Sequence, residues 1–198
     1  MATTFFLVRH AAHDRLDRIL CGRMPGVVLG AEGRAQAEAL AGRLAGERLD
    51  AVYAGPLERA QETAAPIAAR AGLEPRTLAA IDELDFGAWA GRPFAALHGD
   101  PAWGYWNSAR HVTRPPGGET VLEAQVRALL GLEALRRSHG AARLALVSHS
   151  EVIKLIVAHA LGLPADAMQR FEISPASVSV LVLGDWGAKI ESLNERVA

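Results

Sequence analysis

Apolar residues along this chain fall into short continuous runs, separated by longer stretches in which they recur every three or four positions. The runs are dominated by Val, Ile, Leu and Phe, with Gly, Asp or Pro near their edges. They predict strands over 4–9, 50–54, 143–148, 177–183 and 189–193. The intervening pattern predicts a helix over 31–45, with Ala35, Leu40 and Leu44 on one face. A second helix opens at Pro56, with Gly55 as its N-cap and Pro66 kinking or interrupting it. Gly118-Glu119-Thr120 introduces a third, running to about His139, and a fourth spans 150–161 before Gly162 and Pro164 stop it. Strand and helix in alternation predict an α/β sandwich with a largely parallel sheet. Residues 84–117 break the alternation: they are rich in Gly, Pro and Trp, which predicts a lid-like insertion over an active site.

Two of the strand patterns end on a histidine. Phe5-Phe6-Leu7-Val8 leads into Arg9-His10, and Leu144-Ala145-Leu146-Val147 leads into Ser148-His149-Ser150. Ligands of open α/β sheets bind beyond the carboxyl ends of the strands, so the pattern alone predicts a two-histidine site.

At 198 residues the chain is long enough for one domain with a substantial core, taken as 1–198. A net charge of −1 supplies no global field for nucleic acid or an acidic membrane surface, so neither is expected as a partner. Cys21 is the only cysteine, which precludes an intrachain disulfide and agrees with a reducing compartment. The first residues lack a signal-peptide pattern, and no apolar run reaches the ~20 residues of a membrane span. These features predict a soluble, cytoplasmic protein. Oligomeric state stays open, with a homodimer favoured only by general frequency.

Four segments carry candidate chemistry: Arg9-His10, Gly55 through Thr63 with Arg59 in its first helical turn, Glu83 through Gly91, and Ser148-His149-Ser150. Together they offer two imidazoles, two guanidiniums and a carboxyl group. Guanidinium forks match phosphate oxygens, and the two helix starts add N–H donors. A neutral imidazole can attack phosphorus while a carboxylic acid protonates the leaving oxygen.

In this order the segments resemble those of the histidine phosphatase, or phosphoglycerate mutase-like, superfamily. Arg9-His10 resembles Arg-His-Gly, and Pro56 through Thr63 matches Pro-Leu-x-Arg-Ala-x-Glu-Thr. Glu83 through Gly91 resembles Glu-x-x-Phe-Gly-x-Trp-Glu-Gly, and Val147-Ser148-His149 matches the second histidine segment. The resemblance implies a phosphoglycerate mutase-like three-layer sandwich with a mostly parallel central sheet flanked by helices. It implies a phosphoric monoester hydrolase of the histidine acid phosphatase type, acting on a small phosphorylated substrate. His10 would be the nucleophile. Arg9, Arg59 and His149 would join His10 in binding the phosphoryl group. Glu83 would be the acid and then the base. No cofactor or metal is implied, and His10 with His13 alone is too few ligands for one. Cys21, Gly22 and Arg23 fall where relatives border the substrate.

Several positions depart from the pattern. Ala11 replaces Gly. Ala12, His13 and Leu16 stand where relatives carry a polar pair and then an Asn, leaving His13 or Arg23 as substitutes for that phosphate ligand. Gly55 replaces a common Ser, losing a hydroxyl, and Ala90 replaces a frequent Glu. Ser150-Glu151 replaces a Gly-containing pair. Glu151 would repel a substrate carboxylate if it faced the cleft, but Ser148-x-x-Glu151 also fits a capping box, the favoured reading. Trp103, Tyr105 and Trp106 either pack the lid or wall an apolar leaving group, with Trp106 a substrate-binding candidate. Arg110, His111 and Arg114 either bind a second acidic group or sit at the surface.

Two other functions stay open. A phosphoglycerate mutase shares the core site, although the short middle region and Glu151 favour hydrolysis. A catalytically silent phospho-ligand or protein-binding module is kept open by Ala11, Leu16 and Gly55. A dinucleotide-binding oxidoreductase is disfavoured, because Arg-His rather than a Gly-rich turn follows the first strand. Sugar phosphates, α-ribazole phosphate and other phosphorylated metabolites are all compatible substrates.

Overall fold

Side-chain alternation in the first strand sets the architecture. In the computed structural model, which describes residues 1–196, β1 (Ala2–Arg9) sends Phe6 and Val8 into one apolar cluster and Phe5 and Leu7 into another. A strand buried on both faces needs helices on both. α1 (Ala31–Leu44) and α2 (Glu58–Ala71) supply Leu40, Leu44, Ala64 and Ile67 to the first cluster. α5 (Val121–His139) and α6 (Ser150–Ala160) supply Leu132, Ile153 and Ile156 to the second. Leu40 is fully enclosed; its truncation to Ala costs about 2–5 kcal/mol.

The six-stranded sheet runs β3-β2-β4-β1-β5-β6. β2 (Ala51–Ala54), β3 (Pro75–Thr77) and β4 (Arg143–Ser148) extend the parallel part from β1. β5 (Ser177–Gly184) and β6 (Gly187–Arg196) add antiparallel strands on the other side. The α/β sandwich predicted above is therefore the observed one.

Several local expectations are corrected. α2 begins at Glu58 with Leu57 as its N-cap, not at Pro56 with Gly55 as cap. The Gly55 N–H donates to the Val147 carbonyl at 3.0 Å, prolonging the strand ladder and delaying the helix. Pro66 lies inside α2 without ending it. The carbonyl that loses its donor belongs to exposed Glu62, and buried Thr63, Ala64, Ile67 and Ala68 anchor both halves to the sheet. In α1 Ala35 is exposed, and the buried face runs through Gly33, Ala37, Leu40, Ala41 and Leu44. Gly33 sets that face: a Cβ there would come within 1.9 Å of the Ala12 carbonyl oxygen. β3 carries no apolar run to announce it.

The insertion over 84–117 is folded rather than irregular. It holds α3 (Phe94–His98) and α4 (Pro101–Ser108), the latter capped by the Asp100 carboxylate, which accepts from the Ala102 N–H at 3.0 Å. Its core of Phe86, Trp89, Leu97, Trp103 and Trp106 packs on Val121, Leu155 and Met168. Tyr105 points outward. α5 opens with a capping box, the Thr120 hydroxyl accepting from the Glu123 N–H and the Glu123 carboxylate from the Thr120 N–H. Among the described residues, no helix is long and apolar enough to cross a membrane.

Candidate active site

The parallel register of β1 and β4 pairs Arg9 with Ser148, so the next residues on each strand, His10 and His149, leave the sheet together. Their ring centroids lie 5.1 Å apart. The Nδ1 of His10 is 2.9 Å from the Ala11 carbonyl, which accepts its proton and leaves the lone pair on Nε2. Burial, then the charges of Arg59 and Arg9, push His10 well below its ordinary pKa. The imidazole is held neutral and in the tautomer a nucleophile needs.

Arg59 reaches the same place from α2 and is enclosed, 1% exposed. One Nη2 donates to the Gly22 carbonyl at 2.7 Å and approaches the Nδ1 of His149 at 3.3 Å. Because guanidinium only donates, that Nδ1 is the acceptor and the proton of His149 sits on Nε2. The Nε and Nη1 of Arg59 and the Nε of Arg9 are buried without partners. Buried donors left unpaired are costly, and here they belong to residues that line the same cleft as His10. Arg9 is held from its far end by the Ile173 carbonyl, which accepts from Nη1 at 2.6 Å. Thr63 ties the parts together: its hydroxyl accepts from the Ala11 N–H at 3.0 Å and donates to the Arg59 carbonyl at 2.7 Å.

Glu83 supplies the carboxyl. Burial, opposed chiefly by Arg59, raises its pKa to about 7. Its Oε2 stands 3.7 Å from the Nδ1 of His149.

A profile of the histidine phosphatase superfamily (branch 1) matches residues 5–196. The chain belongs to the histidine phosphatase superfamily. Among characterised relatives, the adenosylcobalamin/alpha-ribazole phosphatase of Escherichia coli is 29% identical over 96% of this chain and 95% of its own. Phosphoserine phosphatase 1 of Hydrogenobacter thermophilus is 30% identical over 95% and 90%. The crystal structure of the alpha-ribazole phosphatase from Shigella flexneri superposes with a TM-score of 0.87, at 26% identity over 98% of this chain and 97% of that one.

In this histidine phosphatase Arg9, His10, Arg59 and Glu83 line one cleft of about 190 Å3, joined by Cys21, Gly22 and Trp106. Burial raises the Cys21 pKa, which keeps the group a thiol. His149 is not on the cleft surface; it is fully enclosed and orients Arg59. Arg23 does not line the cleft either. Its Nε donates to the Glu83 carbonyl at 2.8 Å and its Nη2 to Glu119 at 2.7 Å. Arg127 donates to the same Glu83 carbonyl at 2.9 Å and also pairs with Glu119. Glu119 thus braces the acid-bearing loop through two arginines. That brace was invisible in the sequence, because its members are spread from 23 to 127.

His13 stacks on His10 at 5.5 Å, has an unpartnered buried Nδ1 and is pushed down to about 4 by burial and Arg59. Of the two substitutes for the missing Asn, it is the one at the cleft. The capping box expected of Ser148 and Glu151 does not form. His149 is the N-cap, the Ser148 hydroxyl donates to the Ile81 carbonyl, and Glu151 faces the cleft to pair with Arg110 at 2.8 Å. His111 pairs with Asp166 and Arg114 with Glu123, both outside the cleft.

Proposed function

We propose that this protein is a metal-independent phosphomonoesterase that hydrolyses a small phosphorylated metabolite through phosphohistidine on His10. The observation that carries this reading is the pairing of a neutral His10, tautomer fixed by the Ala11 carbonyl, with unpartnered guanidinium donors of Arg59 and Arg9. The Nε2 of His10 attacks phosphorus. Protonated Glu83 gives its proton to the leaving oxygen as the P–O bond breaks. Water then enters, Glu83 takes its proton, and the hydroxide oxygen displaces His10 from phosphorus, releasing phosphate. Arg9 and Arg59 meet the charge that builds on the equatorial oxygens, supplying the positive field that metal ions supply elsewhere. His149 acts by orienting Arg59, and His13 faces the phosphoryl group in place of the missing amide. A cytoplasmic site of action belongs to the same reading.

Hydrolysis of p-nitrophenyl phosphate in EDTA tests the proposal. Native protein is expected to turn the ester over in EDTA, and His10→Ala is not. Full activity in His10→Ala, or its loss in EDTA, overturns it.

A further inference from the structure

Two neighbouring carboxyl groups, those of Asp82 and Glu83, address opposite nitrogens of the His149 ring. On the Nδ1 side the Arg59 Nη2 approaches at 3.3 Å and the Glu83 Oε2 at 3.7 Å. On the other side the Oδ1 of Asp82 stands 4.0 Å from Nε2. The ring is fully buried, and its Nε2 has no hydrogen-bond partner. Asp82 is anchored where it stands. Its Oδ1 accepts from the Glu83 N–H at 2.8 Å, and its Oδ2 lies 3.4 Å from the Arg23 Nε.

Burial first, then His10, Arg59, Arg127 and Arg9, hold the His149 ring neutral. Its one proton therefore chooses between two nitrogens. On Nε2 it leaves a lone pair at Nδ1, which accepts from Arg59 and faces a protonated Glu83. On Nδ1 it would oppose the Arg59 N–H and donate toward the Glu83 carboxylate, favouring loss of the Glu83 proton. That second arrangement would disarm the acid and loosen the guanidinium together. Arg59 favours the first, across a long 3.3 Å. Glu83 favours the second whenever it is ionised, as it is each time its proton has gone to a leaving group. In a place closed to water, a negative oxygen beside Nε2 resists that pull.

We propose that Asp82 is a positioning residue: it keeps the His149 proton on Nε2, so that Nδ1 stays an acceptor for Arg59 and does not become a donor to Glu83. The consequence for turnover rests on the phosphomonoesterase reading. Asp82 is not on the cleft surface and needs no contact with substrate. Around Glu83 itself stand Arg59, Glu151 and Arg9, and these are untouched by a change at Asp82.

Histidine 15N spectra read the tautomer, and pH profiles of kcat/KM for p-nitrophenyl phosphate in EDTA read its consequence. In the native protein the His149 ring, assigned by its loss in His149→Asn, is expected to carry its proton on Nε2. Asp82→Ala moves the proton toward Nδ1, lowers kcat/KM roughly tenfold and shifts the pH break downward by roughly one unit. Asp82→Asn keeps an oxygen at that place without the charge and falls between the two. A Cβ on Gly55 would stand 3.4 Å from the His149 Nε2. Gly55→Ser in the Asp82→Ala background therefore supplies a hydroxyl acceptor, and restores the ring and the break without restoring the contact to the Glu83 N–H. A proton on Nδ1 in the native protein overturns the proposal, whether or not any variant folds. So does a break that moves in Asp82→Ala while the ring does not, or a ring restored by the serine with the break left displaced. Native protein that hydrolyses nothing, with a ring that still responds to Asp82→Ala, overturns the phosphomonoesterase reading and leaves the role of Asp82 at His149 standing.

Discussion

The phosphoryl end of the cleft and the wall made by α4 are built by different means. The phosphoryl end is polar, buried and deliberately incomplete: Arg59 is enclosed yet keeps two unpartnered nitrogens. The wall made by α4 is mostly apolar, with its rings packed on one another and Arg110 pairing with Glu151 through Nη1, while the Arg110 Nε and Trp106 Nε1 stay unpartnered. Unsatisfied buried donors mark where an acceptor is wanted, and those of Arg9 and Arg59 belong to residues that line the cleft with His10. Substitutions in the two places should differ in kind.

The largest break comes at Glu83. In the proposed reaction its proton goes to the leaving oxygen, and burial holds that proton up to about 7. For the native protein kcat/KM is expected to be level on the acid side and to fall roughly tenfold per pH unit above that value. His10, depressed by burial, stays neutral across the same range. Glu83→Gln lowers kcat/KM by about 10²- to 10⁴-fold and removes the break. A pH profile unchanged in the variant would reassign the acid.

Arg59→Ala comes next, at about 10²- to 10³-fold in kcat. The comparison sharpens if the loss is uniform across aryl, alkyl and sugar phosphates, read as kcat/KM ratios that keep their order. A loss confined to one leaving group would place Arg59 at the wrong end. A smaller effect is expected from Glu119→Gln, which loosens Arg23 and Arg127 from the Glu83 carbonyl. We expect a fall in kcat of roughly 10- to 100-fold at nearly constant KM, with the position of the pH break moved. A purely structural role would lower the denaturation midpoint without moving that break.

The smallest effect concerns Gly55. The Nε2–H of His149 is buried without a partner, and a Cβ on Gly55 would stand 3.4 Å from that nitrogen. Gly55→Ser offers a hydroxyl acceptor there and is expected to add about 1 kcal/mol of stability, read by urea denaturation, with activity little changed. The nearest backbone atom to the new Cβ, the Ile81 carbonyl oxygen at 3.3 Å, must yield slightly.

The same division governs what the sequence disclosed. Strand ends and the order of the four segments were legible, because a histidine at the end of a buried strand leaves a local mark: an apolar run followed by Arg9-His10. The sandwich followed from alternation alone. The bracing of Glu83 was not legible, since Arg23, Glu119 and Arg127 meet only after the insertion folds over α5. Ser148 and Glu151 misled for a related reason. Their spacing satisfies a local capping rule, but a carbonyl from Ile81 and a guanidinium from Arg110 outcompete it. Covering of His149 by its neighbours was likewise hidden, because spacing reports which residues arrive together and not which one lies in front.

The strand order bears on how the protein is made. Both neighbours of β1 in the sheet, β4 and β5, lie in the last third of the chain. As a ribosome extrudes the polypeptide, His10 emerges before the strands that will flank it. Early intermediates hold Phe5, Phe6 and Leu7 without their native cover, which makes that segment a natural target for chaperones during synthesis. It also keeps a nascent chain inert toward phosphorylated metabolites until β4 and β5 have been made, so competence arrives as a unit.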